Sequence, residues 1–452
     1  MRGSNKIFLS STLLVFLSFL GCGGGDKRTL VTPILSVKPV GITLDLAIGS
    51  EDPAAVKLYV KNDAEGLLAW NISGNREWLR FENPLYPGNS SATVSGIGPA
   101  EIIVETDFTL VSSQNPESVS AAITVSAADP NGITASGSPL TIPVILNIWD
   151  ILTSGDGLPG SEINNIFVNG QDDVWVGTNQ GAARITADGI ESYTQSNSGL
   201  VNNQVNAINV SPDDSVWFGT GIGWNDAEGG LSRYYPGDDS WVTYTYQSTN
   251  GQLALNSVSA IVSTPSGEIW FGTPGGGLSH YDGTGWEKFT TRNTPDLVGD
   301  FILALTLDPD ERVWLGSNWG PGLFDGINWA SYAETITGPV NAVAVDSQGS
   351  TWVGTGNGFW ILSAGEWQEF HLGEPGSPSD LILSLAPEPG GKVWIGTASG
   401  LVRYENGTGE NVLFNHQPWN RQINSIGIEP DGGDGYRKWL ATPEGIYVYP
   451  GD

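Results

Sequence analysis

The sequence predicts an all-β fold: a seven-bladed β-propeller closed by strand exchange and preceded by an Ig-like β-sandwich. Three observations predict it. A motif centred on tryptophan recurs seven times in the last two-thirds of the 452-residue chain. The final copy lacks an outer strand, which a segment ahead of the first copy can supply. Upstream of that segment, short runs of alternating apolar residues are separated by turn residues, as in β-sandwiches.

The repeated motif reads aliphatic, Trp, apolar, Gly, Thr in most copies. The seven copies lie at residues 174–178, 216–220, 269–273, 313–317, 351–355, 393–397 and 438–442. Their tryptophans are 42, 53, 44, 38, 42 and 45 residues apart. A period of this size in an all-β chain is typical of propeller blades. We therefore expect each motif Trp in the core, and each motif Gly where neighbouring blades approach closely.

The two ends of the repeat region predict how the ring closes. The last repeat ends near Tyr449 without a fourth strand, while a strand-like segment at 149–152 precedes the first repeat. Pairing between the two would complete the last blade and remove an open sheet edge. The sequence therefore predicts seven complete blades over residues 148–452.

The repeat resembles the two-component regulator propeller repeat. In both, a Gly-Leu pair, an inner strand, an Asp/Gly turn and a Trp strand follow one another, with Gly-Leu at 157–158 and 199–200 here. The resemblance covers residues 149–452. It implies the propeller fold and, in that family, a periplasmic sensor role that in some members reads polysaccharide fragments. Because no kinase core or response regulator follows, we expect the fold to carry over without the signalling output.

Residues 33–147 form the predicted sandwich. Strands are predicted at 35–37, 42–46, 56–60, 68–72, 102–104, 121–125 and 140–146, and seven short strands fit an Ig-like domain. Trp70 and Trp78, with their neighbours Asn71-Ile72-Ser73 and Leu79, resemble the paired tryptophans of the BACON-type Ig-like domain. That resemblance implies a glycan binder or a spacer. We expect a spacer, with Trp70 and Trp78 as core or staple residues.

Residues 1–21 have the pattern of a lipoprotein signal peptide. Arg2 and Lys6 precede an apolar stretch that is too short to span a bilayer comfortably. Residues 19–22, Phe-Leu-Gly-Cys, resemble the lipobox of bacterial lipoproteins, which implies acylation of Cys22, the single cysteine. An ordinary secretory signal with a chance cysteine is the alternative.

Residues 22–32 contain three consecutive glycines and are expected to form a flexible tether. No Asp sits directly after Cys22, which favours the outer membrane in the best-known sorting rule. We therefore expect the chain to be anchored in the bacterial envelope and to contact the membrane through its lipid alone.

Composition argues against several function classes. A formal charge of −30 at pH 7 disfavours nucleic acid, because such a surface repels phosphates. The three histidines, His280, His371 and His416, are scattered, and we predict neither a metal site nor a cofactor. Neither a Ser-His-Asp pattern nor a phosphate-binding loop is present, so we predict no catalytic residues and no enzymatic activity.

Candidate ligand-binding residues lie on the face where the inner strands begin. Polar residues recur eleven positions before the motif Trp, or at the equivalent place in the last repeat: Asn164, Asn206, Ser259, Asn341 and Asn424. Two loops on this face add tryptophans outside the repeat, Trp224 beside Asn225 and Asp226, and Trp319 beside Asn318. A Trp ring stacks on sugar C–H groups while amides and carboxylates bind hydroxyls. The alternative is a water-filled channel with structural side chains and loops packed against its rim.

These observations predict a non-catalytic envelope lipoprotein whose propeller binds a glycan or a peptide outside the cytoplasm. Two alternatives stay open. The chain could be a scaffold subunit that docks onto an envelope protein complex, or a polysaccharide lyase or hydrolase. The strong negative charge disfavours anionic substrates for an enzyme of the latter kind.

Overall fold

The computed structural model describes residues 32–47, 55–107, 119–170, 173–223, 228–373, 378–405, 407–411, 413–414, 417–418, 421–431 and 435–449. Within these ranges the chain forms a two-sheet sandwich followed by a ring of seven four-stranded sheets. No helix in the described part of the chain is long and apolar enough to cross a membrane. The signal peptide, Cys22 and the tether up to residue 31 lie outside the described residues.

The described sandwich has nine strands. They are β1 Leu35–Lys38, β2 Ile42–Ala47, β3 Ala55–Asn62, β4 Ala69–Gly74, β5 Leu79–Glu82, β6 Thr93–Ile97, β7 Ala100–Thr106, β8 Val119–Ala128 and β9 Leu140–Leu152. One sheet has the order β1-β3-β7-β5, and the other has the order β2-β9-β8-β4-β6. Strands β2 and β9 are parallel, and all the other pairs are antiparallel.

The two sheets enclose one hydrophobic cluster, to which alternate residues of nearly every strand contribute. Trp70 and Trp78 belong to it and are only 4% and 5% exposed, which confirms their predicted core positions. The Trp70 Nε1–H group donates to the Gly98 carbonyl at 2.8 Å. Strands β5 and β6 were not predicted: β5 has four residues, and β6 shows no fully buried face.

Blades one to six each contain four antiparallel strands, and blade seven contains three strands of its own. Blade one has Ile163–Asn169, Asp173–Thr178, Gly181–Thr186 and Gly189–Tyr193; blade two has Val205–Val210, Val216–Thr220, Leu231–Tyr235 and Ser240–Tyr244. Blade three has Ala260–Ser263, Ile269–Thr273, Gly277–Tyr281 and Trp286–Phe289; blade four has Ile302–Leu307, Val313–Ser317, Gly320–Phe324 and Trp329–Ser331. Blade five has Val340–Val345, Thr351–Thr355, Gly358–Ser363 and Glu366–Phe370; blade six has Ile382–Glu388, Lys392–Thr397, Gly400–Glu405 and Thr408–Asn411. Blade seven has Ser425–Pro430, Tyr436–Thr442 and Gly445–Tyr449.

The connections include two 3-10 turns and a short hairpin. The 3-10 turns are Ser154–Asp156 and Pro378–Asp380. The hairpin pairs Leu413–Phe414 with Gln417–Pro418 and lies between blades six and seven in the chain.

Blade seven is completed by β9, which confirms the predicted strand exchange. The end of β9 pairs antiparallel with the last strand of the chain, with Leu152 opposite Ile446 and Asp150 opposite Val448. Trp149 is fully buried, and its ring centroid lies 4.7 Å from that of Tyr449. The strand is continuous from Leu140 to Leu152, so the boundary predicted at 147/148 falls inside a strand.

The motif residues form the contacts between blades. All seven motif tryptophans are buried, and none is more than 7% exposed. In six blades a Cβ on the motif Gly would come within about 2.8 Å of a Val or Ile side chain that begins the next inner strand or lies two residues before it; Gly177 against Val205 and Gly354 against Ile382 are examples. Only a residue without a side chain allows this approach, so the predicted role of the motif Gly is confirmed.

Candidate functional site

The propeller has two faces that differ in their connections. The mouth face carries the loops from the second to the third strand of each blade and the segments that lead from one blade to the next. The opposite face carries the turns between the first and second and between the third and fourth strands. The predicted ligand-binding residues that the structure describes belong to the mouth face.

The predicted ring of polar residues on the mouth face links neighbouring blades. Four of its members donate a side-chain hydrogen bond to the backbone carbonyl at the start of the next blade. These bonds run from Asn164 Nδ2 to Val205 O (2.9 Å), from Ser259 Oγ to Ile302 O, from Asn341 Nδ2 to Ile382 O (3.0 Å) and from Asn424 Nδ2 to Ile163 O (2.7 Å). The last bond joins blade seven to blade one, so it spans the point where the ring closes.

The remaining members of this ring behave differently. Asn206 Nδ2 donates within its own blade, to the Gly221 carbonyl at 2.6 Å. Leu303 and Leu383 hold the equivalent positions in blades four and six and carry no polar group. Each asparagine of this ring therefore donates one side-chain N–H to a backbone carbonyl. Their role in ligand binding stays a prediction that rests on the second N–H and the side-chain oxygen of each amide.

Two of those oxygens also have side-chain partners. Gln204 Nε2 donates to Asn206 Oδ1 at 3.2 Å, and Gln422 Nε2 donates to Asn424 Oδ1 at 2.6 Å. Each Gln lies two residues before its Asn, in the segment through which the chain enters the inner strand from the mouth face. Sequence reasoning missed these glutamines because it compared a single repeat position.

Trp319 is the most exposed aromatic side chain among the described propeller residues, at 65%. It lies in the second-to-third strand loop of blade four, where its backbone N–H donates to Ser317 Oγ at 3.0 Å. Its ring lies against Gly299, where an added Cβ would come within 2.7 Å of the ring Cδ1. Since Gly299 has no side chain, the edge of the indole can rest against its backbone while most of the ring stays exposed.

Phe301 lies beside this loop and is 37% exposed. The Asn318 backbone N–H donates to the Phe301 carbonyl at 3.1 Å, so the two segments are hydrogen-bonded to each other. We call Trp319 and Phe301 the aromatic rim. Sequence analysis missed Phe301, although it directly precedes the inner strand of blade four, a position that opens onto the mouth face.

The remaining predicted site residues cannot be placed in this geometry. Trp224, Asn225 and Asp226 lie outside the described residues, as does Cys22. The loop that contains them begins after Thr220 and ends before Leu231, so its two ends lie on the mouth face in blade two. Their role in ligand binding stays a prediction.

The opposite face has a groove of about 610 Å³ between blades one and two. Asp173, Arg184 and Asp238 are among the residues that line it. Arg184 forms an ion pair with Asp173, and Arg233 of the second blade forms one with Asp213, another lining residue. Both arginines are thus paired with carboxylates of the same face. The groove is therefore acidic and offers an anionic ligand little unpaired positive charge.

Two of the three histidines are described, and each contacts a carboxylate. His280 Nε2 lies 3.1 Å from Glu268 Oε2, and the His280 ring stacks on the motif Trp of blade three. His371 Nδ1 lies 3.1 Å from a carboxylate oxygen of Asp380, which is fully buried. His280 lies on a third strand and His371 follows a fourth strand, so neither comes from an inner strand of the channel. Among the described residues, no group of three or more His, Cys, Asp or Glu is arranged to hold a metal ion.

Comparison with known proteins gives distant similarities. No family model matches the chain. It is 23% identical over 230 residues to histidine kinase P4 of Formosa agariphila, a match that covers 49% of this chain and 14% of the kinase. The extracellular domain of a putative hybrid two-component system of B. thetaiotaomicron superposes with a TM-score of 0.56 at 19% identity, over 67% of this chain and 41% of that one. Catalytically inactive virginiamycin B lyase from Staphylococcus aureus, solved with quinupristin, superposes with a TM-score of 0.52 at 19% identity, over 66% of this chain and 96% of the lyase.

These similarities establish the fold of the repeat region. The neighbours are β-propeller proteins, in agreement with the seven closed sheets found here. The matched part amounts to less than half of the kinase and of the two-component domain, so this chain corresponds to a minor part of either. One neighbour comes from a two-component system and another is a lyase, and the shared fold alone does not distinguish between a sensor and an enzyme.

Proposed function

We propose that this chain is a lipid-anchored envelope protein whose propeller binds a ligand outside the cytoplasm, through the mouth face and without catalysing a reaction. The aromatic rim carries this proposal. Trp319 exposes 65% of its surface beside an amide side chain, on the face where the inner strands begin. Contact between water and the apolar face of an exposed indole is unfavourable. A ligand ring that stacks on this face removes it from water, which contributes favourable free energy to binding.

A carbohydrate fits this surface best. The C–H face of a pyranose ring can stack on a flat indole, and Asn318, which is partly exposed, offers an amide for hydroxyl groups. A peptide would use the same aromatic surface and is the second ligand class to test. Similarity to extracellular domains of two-component systems supports a binding role outside the cytoplasm, although those domains are much longer than this chain.

A binding role also fits the described histidines better than catalysis does. The solved lyase carries a His-to-Ala substitution and is catalytically inactive. In this chain His280 and His371 are each hydrogen-bonded to a carboxylate, and neither belongs to an inner strand. We therefore propose binding without turnover as the function of the mouth face.

Titration of the Trp319→Ala variant tests this proposal. A Cys22→Ser background keeps the protein soluble, and glycan and peptide arrays identify ligands of the parent chain. We expect the variant to lose roughly tenfold or more in affinity, because an aromatic contact of this size is worth about 1.5–3 kcal/mol. Tyr86→Ala is the matched control, since Tyr86 is 67% exposed but lies on the sandwich. Equal affinity of the parent and Trp319→Ala would contradict the proposal, as would a parent that binds neither ligand class.

A further inference from the structure

Exposed apolar side chains are concentrated at one end of the sandwich. This end, which we call the distal pole, consists of residues 32–34 and the connections 63–68, 83–92, 98–99 and 129–139. The strand register brings these segments together: Leu35 lies opposite Asn62, and Ala69 lies opposite both Ile97 and Ala128. Strand β9 begins at this end and runs away from it into the propeller. The distal pole is therefore the end of the sandwich that faces away from the propeller.

Six large apolar side chains are exposed at the distal pole or at its edge. They are Ile34 (45%), Leu67 (60%), Leu85 (79%), Tyr86 (67%), Ile97 (66%) and Ile133 (37%). On the flanks of the described sandwich only Val40, Tyr59 and Ile145 are comparably exposed. A cluster of this kind marks a contact surface more often than a free one.

Ordered turns hold these side chains away from the core. The Leu85 backbone N–H donates to Asn83 Oδ1 at 3.0 Å, and the Gly88 N–H donates to Glu82 Oε1 at 2.7 Å. Beside Leu67, Asn62 Nδ2 donates to the Gly66 carbonyl at 3.1 Å. Because the turns are fixed by hydrogen bonds, Leu85 and Leu67 cannot fold back onto the sandwich without breaking them.

The chain enters the sandwich at the distal pole. The Ser136 N–H donates to the Pro33 carbonyl at 2.8 Å, and the Leu35 N–H donates to the Ser136 carbonyl at 2.9 Å. Cys22 lies only eleven residues before Pro33. A flexible segment of that length spans about 18 Å on average, with a maximum of roughly 40 Å. A lipid on Cys22 would therefore keep the distal pole close to the bilayer surface.

We propose that the distal pole is a membrane-contacting surface, with Leu67, Leu85, Tyr86 and Ile97 inserted at the boundary between headgroups and acyl chains. This inference rests on the proposed lipid anchor at Cys22. Leucine side chains on projecting turns can be buried at this boundary. A tyrosine there keeps its hydroxyl group in water while its ring contacts the lipid. Asp63 is paired with Lys61 at 2.6 Å, and Glu65 and Asp129 give the pole a net negative charge, so the surface favours zwitterionic over anionic lipids. Membrane contact then includes protein side chains as well as the lipid.

An environment-sensitive fluorophore on Leu85→Cys tests the proposal in the full lipidated chain. Acylation consumes the thiol of Cys22, so the introduced cysteine is the single free thiol. Ile327→Cys is the matched control, because Ile327 is 85% exposed and its N–H donates to Asp325 Oδ1 at 2.9 Å, the same turn geometry as at Leu85. Ile327 lies in blade four of the propeller. Vesicles of phosphatidylcholine and phosphatidylethanolamine, with quenchers on the upper acyl chain, supply the membrane.

We expect the fluorophore at residue 85 to shift to the blue and to be quenched several-fold more than the one at residue 327. Equal quenching at both positions in a chain that is acylated and bound to vesicles would overturn the membrane-contacting surface and leave the anchor in place. Mass spectrometry of the N-terminal peptide reports acylation separately. A chain without acyl groups would overturn the anchor and, with it, the inference that depends on it.

Discussion

Lys438 is a charged residue in the interior of the propeller, and its contacts explain how it is tolerated there. It is 2% exposed at a position that is aliphatic in five of the other six repeats. Its ammonium group lies 3.0 Å from Glu388 Oε2, donates to the Tyr436 carbonyl and lies 4.5 Å from the ring centroid of Trp394. Burial lowers the pKa of Lys438, and the hydrogen bond to Glu388 opposes that shift. The pair joins blades six and seven.

The Lys438→Met variant is expected to lose about 3–5 kcal/mol of unfolding free energy, because Glu388 would remain buried without its nearest cation partner, the only buried one among the described residues. Adding Glu388→Gln should restore part of this loss, since a neutral amide is cheaper to bury. Urea denaturation measures both changes. Lys392→Met is the control: its ammonium group is 3.9 Å from Glu388 and partly exposed, so its loss should stay below about 1 kcal/mol. Equal losses for Lys438→Met and Lys392→Met would contradict this account.

At the residue scale, the motif identified the buried tryptophans and the close glycines but not their polar partners. The motif tryptophans of blades four to seven donate their indole N–H groups to acidic side chains near the ends of the inner strands. These acceptors are Asp308, Asp346, Glu388 and Glu429, all at most 9% exposed. Blades one to three have Asn169, Ser211 and Thr264 at the position six before the Trp. Because the residue type changes around the ring, single-sequence comparison gave no fixed pattern for these acceptors.

At the scale of the element, a side chain of the polar ring on the mouth face links four of the seven blades to the next blade. The sequence shows a polar residue at this position in five repeats, but it does not reveal the hydrogen-bond partner. Asn164 bonds to a carbonyl 41 residues further along the chain, and Asn424 bonds to one 261 residues back. The acceptors are backbone carbonyls, which every residue type has. The sequence pattern therefore cannot predict which residue accepts the hydrogen bond. Strands β5 and β6 were missed for a related reason, since they are short and partly exposed.

Asn424→Ala should loosen the joint between blades seven and one, because it leaves the Ile163 carbonyl without its donor; the expected cost is about 1–2 kcal/mol. Amide hydrogen exchange should then become faster in both Ile163–Asn169 and Ser425–Pro430. Asn206→Ala is the matched control, since Asn206 bonds within blade two. Its effect should stay within that blade. Faster exchange confined to blade seven in the Asn424→Ala variant would contradict the proposed joint.

At the scale of the whole molecule, the sandwich and the propeller share strand β9. Residues 140–146 pair with β8 in the sandwich, and residues 150–152 pair with the last strand of blade seven. Strand β2 pairs with β9 in parallel as far as Trp149, so it covers the residues between these two antiparallel partners. The closing segment could be predicted because the repeat count demanded a fourth strand. Its continuity with the sandwich could not, because a strand that changes neighbours keeps the same alternating pattern throughout.

Closure of the ring by β9 is the claim on which the mouth face and its aromatic rim depend. A disulfide between Asp150→Cys and Val448→Cys tests it directly, in a Cys22→Ser background, because these two residues are opposite each other in antiparallel strands. We expect oxidation to link the two cysteines nearly completely in the folded protein, with no free thiol left and a faster band on a non-reducing gel. The single-cysteine variants should stay unlinked. A folded double variant that keeps two free thiols after oxidation would show that β9 does not complete blade seven.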